Sequence, residues 1–181
     1  MKTSRLCAEL RPMPILKVSL IIYLIFAFYL QGIPLSSFAS TTLSTSKCLT
    51  KYDEIIQAKK VLINQKSFEL LKAIEPPDQS RGLSGKKNHE FSFSQAMVFI
   101  NQQQSPKTFW MPNTYFNLDI LFLDRNLKLV GSALNAPFHP GYQEPPSIFR
   151  TQTYEAQYIL EVKAQLNNED IGKRFNLCFL K

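Results

Sequence analysis

The apolar run at residues 118–123, LDILFL, restricts the fold more than any other stretch of the sequence, and it contains one charged residue, Asp119. A run of this length, followed by turn residues at 124–126, is typical of a β-strand that is covered on both faces. An ionised carboxylate in such a strand costs several kcal/mol unless donors hold it. We therefore expect Asp119 either to accept hydrogen bonds or to face a cleft.

The remaining apolar segments are also short and are separated by turn residues, which predicts a mainly β fold. Residues 76–83 predict a short helix, because prolines are tolerated in its first turn and Gly82 suits a left-handed stop. Residues 101–106 are expected to form a glutamine-rich turn. The predicted fold class is a single compact β-sandwich, jelly-roll-like or barrel-like domain with one or two short helices. Strands are expected at residues 61–63 and 68–74 (a hairpin), 96–100, 118–123 with its partner 127–133, 153–162 and 174–180.

The N-terminal segment has the pattern of a secretory signal peptide. Basic residues precede an uncharged apolar run at residues 18–30, and the small residues Ser37 and Ala39 suit cleavage after Ala39. The run is shorter than the roughly 20 residues of a membrane span, although an uncleaved anchor is the alternative. We therefore expect the protein to be exported to the periplasm or the extracellular space, and to contact the membrane only through this segment. The expected organisation is a signal peptide at 1–39, a polar tether with a candidate short helix at 40–58, and a β domain at 59–181.

The formal net charge of +7 does not indicate nucleic-acid binding. The basic residues are scattered, and no run of Lys or Arg is longer than two. Tracking a phosphate backbone requires a concentrated basic face, so no nucleic-acid partner is expected. His89 and His139 each lie alone in a loop without metal-ligand spacing, so neither a metal nor another cofactor is expected. His139 is predicted to be a surface residue.

Two cysteines, Cys48 and Cys178, lie outside the predicted signal peptide. Either they form a disulfide, or Cys178 is a small buried side chain in the last strand. A bridge over so long a loop contributes on the order of 4–5 kcal/mol in the chain-entropy model.

Five segments together resemble a known family. Residues 109–114 (FWMPNT) and 118–124 (LDILFLD) are similar to the F-W-M-x-N-T and L-D-I-x-F-x-D signature of the domain of unknown function 192 family, also called uncharacterised protein family 0127. Pro112 stands where that family usually has lysine. The resemblance covers roughly residues 60–180 and implies a compact, mainly β domain of sandwich or jelly-roll type. The family has no established activity. The other similar segments are residues 81–83 (RGL), 96–99 (AMVF) and 158–162 (YILEV).

Residues 109–124, which we call the signature segment, contain the candidate ligand-binding residues Trp110, Asn113, Thr114 and Asp119. An aromatic face beside a few converging polar groups is typical of sites for sugars and other small ligands. The alternative is that Asp119 is structural and accepts hydrogen bonds from the backbone amides of the turn at residues 112–114.

Asp119 and Glu161 are also the candidate catalytic residues, since two acids on neighbouring strands permit general acid–base chemistry of the kind used in glycoside hydrolysis. No catalytic role is assigned to either. Arg81 is the cation that could neutralise one of them, and a buried ion pair of Arg81 with Asp119 or Glu161 is predicted as a structural feature.

The sequence thus favours an exported binding or accessory module of the cell envelope for a small ligand or a cell-wall glycan. Residues 135–150, rich in proline and aromatic residues, are expected to form a variable rim beside the site. The alternatives are an envelope hydrolase that acts on a glycan through Asp119 and Glu161, and a structural protein-interaction domain. No sequence feature indicates an oligomeric state.

Overall fold

The computed structural model describes residues 47–172 and 175–181. The predicted signal peptide, its cleavage site and the first part of the predicted tether lie outside these residues. No helix in the described part of the chain is long and apolar enough to cross a membrane. The elements are α1 (Tyr52–Ile56), β1 (Lys60–Ile63), β2 (Lys66–Ala73), α2 (Pro76–Arg81), a 3-10 turn (Asn88–Glu90), β3 (Gln95–Lys107), β4 (Leu118–Leu123), β5 (Leu129–Ala136), β6 (Tyr154–Lys163) and β7 (Leu177–Leu180).

The seven strands form one curled sheet, a half-barrel, in the order β5-β4-β6-β3-β2-β1-β7. Neighbouring strands are antiparallel except β2 and β3, which run parallel. A parallel pair needs a crossover connection, and here the crossover contains α2 and the 3-10 turn. The prediction of a mainly β domain with one or two short helices is confirmed, and the curled single sheet is its barrel-like form.

Both faces of the sheet are buried, as the composition of β4 predicted. Along β6, Tyr158, Leu160 and Val162 belong to one apolar cluster, whereas Ile159 belongs to the other. The first cluster includes Ile55 of α1, so we call this side of the sheet the α1 face and the opposite side the pocket face. Every residue of β4 is buried, because the strand lies between these two clusters.

The local turns follow from residue types. Asn64 and Gln65 have φ angles of 48° and 71° and join β1 to β2, as a two-residue hairpin turn requires. Helix α2 begins at Pro76 and ends before Gly82, whose φ is 50°. The predicted short helix and its glycine stop are therefore confirmed.

The glutamine-rich turn predicted at residues 101–106 is wrong. Strand β3 continues to Lys107, and its pairing with β6 resumes at Ser105 after an irregularity that follows Ile100. Residues 102–104 are exposed on the described surface, so their polar composition reflects contact with water rather than a reversal of the chain. Strand β5 likewise extends beyond its predicted end to Ala136, which shortens the proline-rich loop at its start.

The two ends of the domain are joined. Cys48 and Cys178 form a disulfide across a sequence separation of 130 residues. Beside it, the Leu49 amide donates to the Phe179 carbonyl oxygen at 2.8 Å. Of the two roles considered for the cysteines, the structure shows the disulfide, and Cys178 is buried as well.

Candidate functional site

A cavity of about 600 Å³ opens on the pocket face. Its walls come from α2 and the residues that follow it, from the signature segment, and from side chains of β3, β4 and β6. We call it the Glu161 pocket, after the carboxyl group at its floor. Its lining includes Gly82, Leu83, Ser84, Phe99, Phe109, Trp110, Met111, Thr114, Leu118, Tyr142 and Glu161.

Glu161 is the polar floor of this pocket. It lies in the middle strand of three, with Met97 of β3 on one side and Ile120 of β4 on the other. The residue is only 5% exposed, and its Oε2 atom has no hydrogen-bond partner among the described residues. Burial raises the pKa of Glu161 to about 8, because the apolar surroundings disfavour the charged form. The side chain is therefore mostly a neutral carboxylic acid at pH 7.

Gly82 keeps the space above this carboxyl group open. A Cβ atom at this position would lie 3.0 Å from Cζ of Phe99 and 4.0 Å from Oε2 of Glu161. The positive φ of Gly82 is also one that side-chain-bearing residues rarely adopt. Both the turn and the pocket therefore favour glycine at this position, after which the chain continues along the pocket wall.

Aromatic side chains form one wall. Phe99 and Phe109 pack edge to face with ring centroids 4.8 Å apart. Trp110 is 50% exposed at the mouth of the pocket, and the Arg150 guanidinium lies 5.3 Å from the centroid of its ring. The segment is held in place by backbone pairing, since the Thr151 amide donates to the Phe109 carbonyl oxygen at 2.8 Å. The wall is thus fixed against the chain near residue 150.

The rim is polar. Asn113 has a φ of 51°, and its backbone amide donates to the Gly141 carbonyl oxygen at 2.7 Å. Its side-chain amide donates to the Tyr142 hydroxyl at 3.3 Å, and the Ser84 hydroxyl lies 3.1 Å from the same oxygen. Hydrogen bonds from Ser84 and Asn113 lower the pKa of Tyr142. Tyr142 is itself 64% exposed, so its ring is available beside the opening.

Thr114 and His139 connect the signature segment to the proline-rich loop. The Thr114 hydroxyl donates to the Met111 carbonyl oxygen at 3.0 Å and accepts from the His139 amide at 3.0 Å. The ring nitrogens of His139 lie 2.9 Å from the Gly141 and 3.0 Å from the Pro146 carbonyl oxygens. The prediction of a surface His139 is wrong, since the residue is 6% exposed. Its ring joins two backbone positions of the loop, which is why it is buried.

Asp119 does not belong to the pocket. Strand alternation directs its side chain to the α1 face with Leu121, and it is fully buried. Its Oδ1 accepts from the Asn135 amide at 2.8 Å, and its Oδ2 accepts from the Gln165 amide at 2.7 Å and the Leu166 amide at 2.8 Å. The structural role predicted for Asp119 is therefore right in kind. Its predicted partners, the amides of residues 112–114, are wrong, and so is its place in the binding site.

The two candidate catalytic acids face opposite sides of the sheet. Ile120 is paired with Glu161 and Asp119 with Val162, so the register places the two carboxyl groups on different faces. A mechanism with two carboxylates needs both in one cleft, roughly 5–10 Å apart. This geometry excludes a two-acid mechanism for this pair.

Arg81 forms no buried ion pair with either acid, contrary to the prediction. It contacts Asp78 of the same helix at 2.6 Å, and the two side chains are 71% and 46% exposed. The spacing of three residues on α2 brings these two side chains together at the surface. Exposed pairs of this kind contribute about 1 kcal/mol or less.

Of the four predicted binding residues, the structure brings Trp110 and Thr114 to the pocket and Asn113 to its rim. The sequence predicted Glu161 as a candidate catalyst or as the ion-pair partner of Arg81, but not as a binding residue. Phe99 and Phe109 were not predicted as site residues, and Tyr142 was included only as part of the predicted rim at residues 135–150. The available signal was a single carboxylate in an otherwise apolar stretch of β6. Among the residues that the structure describes, no group of three His, Cys, Asp or Glu side chains is placed to hold a metal ion.

The fold and the pocket together define a class: a mainly β domain, built on one curled sheet, with a buried carboxyl group facing a partly aromatic cavity. The family model of DUF192, described as "Uncharacterized ACR", matches residues 59–171. The chain therefore belongs to the domain of unknown function 192 family, as its signature segments indicated. No curated protein matches the chain.

Two solved structures are similar in fold. A protein of unknown function from Novosphingobium aromaticivorans DSM 12444 is 22% identical, with a TM-score of 0.52, over 67% of this chain and 84% of that one. A protein from Sinorhizobium meliloti 1021, provisionally described as a transcription regulator, is 22% identical, with a TM-score of 0.53, over 66% of this chain and 90% of that one. At this level of identity the similarity supports the fold alone.

Proposed function

We propose that this protein is an exported binding or accessory module of the cell envelope that holds a small ligand or a glycan unit in the Glu161 pocket. The observation that carries the proposal is the buried carboxyl group of Glu161, which faces a cavity of about 600 Å³ and whose Oε2 has no hydrogen-bond partner in the part of the chain that the structure describes. A buried polar group without a partner costs about 1–3 kcal/mol. A ligand that supplies the missing partner recovers this free energy.

The aromatic side chains support a binding role. Phe99 and Phe109 provide apolar area inside the pocket, and Trp110 and Tyr142 are exposed at its mouth. Small-ligand sites combine such surfaces with a few polar groups that fix orientation. Exposed aromatic rings around an opening also allow flat or ring-shaped ligands to stack.

Two features support the proposed location. The N-terminal segment has the charge and hydropathy pattern of an export signal. The Cys48–Cys178 disulfide suits an oxidising compartment, where such bonds persist. Cell fractionation, combined with counting of free thiols in the denatured protein with and without reductant, tests this part. Recovery of the protein from the cytoplasm with both thiols free would contradict it.

The binding role is tested by a thermal-shift screen at pH 7 against sugars, cell-wall fragments and small organic acids and amines. A ligand at 100 times its Kd should stabilise the protein by about 2.7 kcal/mol. Trp110→Ala and Glu161→Gln should reduce the shift. Glu155→Gln is the matched control, since Glu155 is an exposed glutamate on the same strand. Equal shifts in all four proteins would place binding elsewhere, and the absence of any stabilising compound would contradict the proposal.

A further inference from the structure

We infer that the ligand of the Glu161 pocket presents an ammonium group to the Glu161 carboxylate. This inference rests on the proposed function and specifies the chemistry of the ligand. It follows from the charges and the aromatic rings around the cavity.

Glu161 is the ionisable side chain of the pocket that can carry a charge and whose Oε2 atom lacks a partner in the described part of the chain. The ionisable lining residues of the pocket are Arg81, Tyr142 and Glu161. Arg81 is already paired with Asp78 at 2.6 Å, and the Tyr142 hydroxyl is within hydrogen-bond distance of Ser84 and Asn113. The Oε2 atom of Glu161 has no such partner among the described residues. An ammonium group carries three N–H donors and a positive charge, so it meets both needs of a buried carboxylate at once.

The aromatic wall favours the same ligand. Phe99, Phe109 and Trp110 all line the cavity that Glu161 faces. The negative faces of aromatic rings attract cations, and the attraction is stronger where water is excluded. Trp110 already attracts the Arg150 guanidinium in this way. A site that combines a carboxyl group with three aromatic side chains discriminates in favour of organic cations over neutral molecules of the same shape.

Binding of an ammonium group should release a proton. In the empty pocket Glu161 is mostly protonated at pH 7, since burial raises its pKa to about 8. Pairing with a cation favours the carboxylate, so the O–H proton of Glu161 passes to the buffer and the ammonium keeps all three of its own. Most of the molecules carry this proton beforehand, so most binding events should release one proton.

Within residues 47–172 and 175–181, no other charged group that adjoins Glu161 accounts for such a proton. Its neighbours across the sheet, Met97 and Ile120, are uncharged. Lys163 lies two residues along on the same side of β6, and its Nζ donates to the carbonyl and side-chain oxygens of Asn88 at 2.7 and 2.8 Å. Arg81 stands on α2 at the pocket wall and is paired at the surface.

The experiment compares two pairs of near-isosteric probes, benzylamine with benzyl alcohol and glucosamine with glucose. Isothermal titration calorimetry of the full chain at pH 7, in phosphate and in Tris, gives both the affinity and the number of protons released. Each ammonium compound should bind about tenfold more tightly than its partner, because a charge-assisted hydrogen bond replaces a neutral one. Glu161→Gln should remove both the preference and the proton release, and Glu155→Gln should keep them.

The outcomes separate this inference from the proposed function. If either neutral probe binds as tightly as its ammonium partner, or if the wild-type protein binds the ammonium without releasing a proton, the inference is overturned and a binding pocket remains. If none of the four probes binds, the inference is also overturned, and the ligand screen alone then decides on the proposed function. Proton release is measured on the wild-type protein, so the test does not depend on the stability of a variant.

Discussion

Replacing Asp119 by alanine is the sharpest test of how the fold is held together. The carboxylate is fully buried and accepts three backbone N–H groups, from Asn135, Gln165 and Leu166. These amides belong to two segments far apart in sequence, at the end of β5 and just after β6. Asp119→Ala removes all three bonds and leaves the donors with no acceptor in a space that the side chain had filled.

The expected loss in the free energy of unfolding follows from the three hydrogen bonds to Asp119. A hydrogen bond to a charged group contributes about 1.5–3 kcal/mol, so three bonds suggest a loss of about 4–6 kcal/mol once some relaxation is allowed. Asp119→Asn should lose less, about 2–3 kcal/mol, because its amide oxygen can replace Oδ2 and keep two of the three bonds. Natural domains are stable by only about 5–15 kcal/mol, so the alanine variant should be close to unfolding.

The assay is urea unfolding of the disulfide-bonded protein, followed by circular dichroism. Asp124→Ala is the matched control: its Oδ1 also accepts two backbone amides, those of Asn126 and Lys128, but in an exposed turn. The control should lose about 1 kcal/mol. If Asp119→Ala is no less stable than Asp124→Ala, the bonds to Asp119 do not hold these segments together, and the reasoning is wrong.

Three further predictions concern the pocket and the disulfide. Burial raises the pKa of Glu161 from an ordinary 4.5 to about 8. The folded protein therefore binds this proton more tightly than the unfolded chain does. Its free energy of unfolding should fall as the pH rises from about 4.5 to about 8. Glu161→Gln should flatten this pH dependence in urea titrations. At pH 8 the free energy of unfolding of the variant should be higher than that of the wild type by up to about 4 kcal/mol. Gly82→Ala should cost about 1–2 kcal/mol in the same assay and weaken ligand binding, because a Cβ atom would enter the pocket at a positive φ. Replacing both Cys48 and Cys178 by serine should lower the free energy of unfolding by on the order of 4–5 kcal/mol.

Each of these predictions has its own check. Wild-type and Glu161→Gln proteins should be nearly equal in stability at pH 4.5, and a constant gap from pH 4.5 to 8 would contradict the proton linkage. Gly141→Ala serves as the control for Gly82→Ala, since a Cβ atom at Gly141 meets nothing within 4 Å. Equal effects of the two substitutions would count against the pocket geometry. For the disulfide, the urea midpoint of the reduced wild type should match that of the double serine variant.

The fold was largely predictable because it depends on patterns that are local in sequence. Alternation along β6 separates Tyr158 and Leu160 from Ile159 and Glu161, and the structure places them on opposite faces as expected. The hairpin, the short helix and its glycine stop follow from turn and capping preferences. The polar part of β3 was missed because an exposed strand and a turn have similar composition.

The site was predicted less well, because its geometry depends on contacts between distant segments. The signature segment pointed to Trp110 and Thr114, which do line the cavity. The amides that hold Asp119 come from positions 16, 46 and 47 residues away, and no local pattern shows which side of the sheet they occupy. Glu161 becomes a pocket floor only because the β2–β3 crossover carries α2 over the face that it occupies.

The disulfide also determines how the domain responds to a pulling force. Cys178 lies in β7 and Cys48 lies before α1, so the covalent loop contains almost the entire sheet. Tension applied between the two ends passes through the sulfur atoms and bypasses the strands. A translocating unfoldase that grips either end therefore meets a covalent crosslink before it can extract a strand, and the domain resists mechanical unfolding for as long as the bond is oxidised.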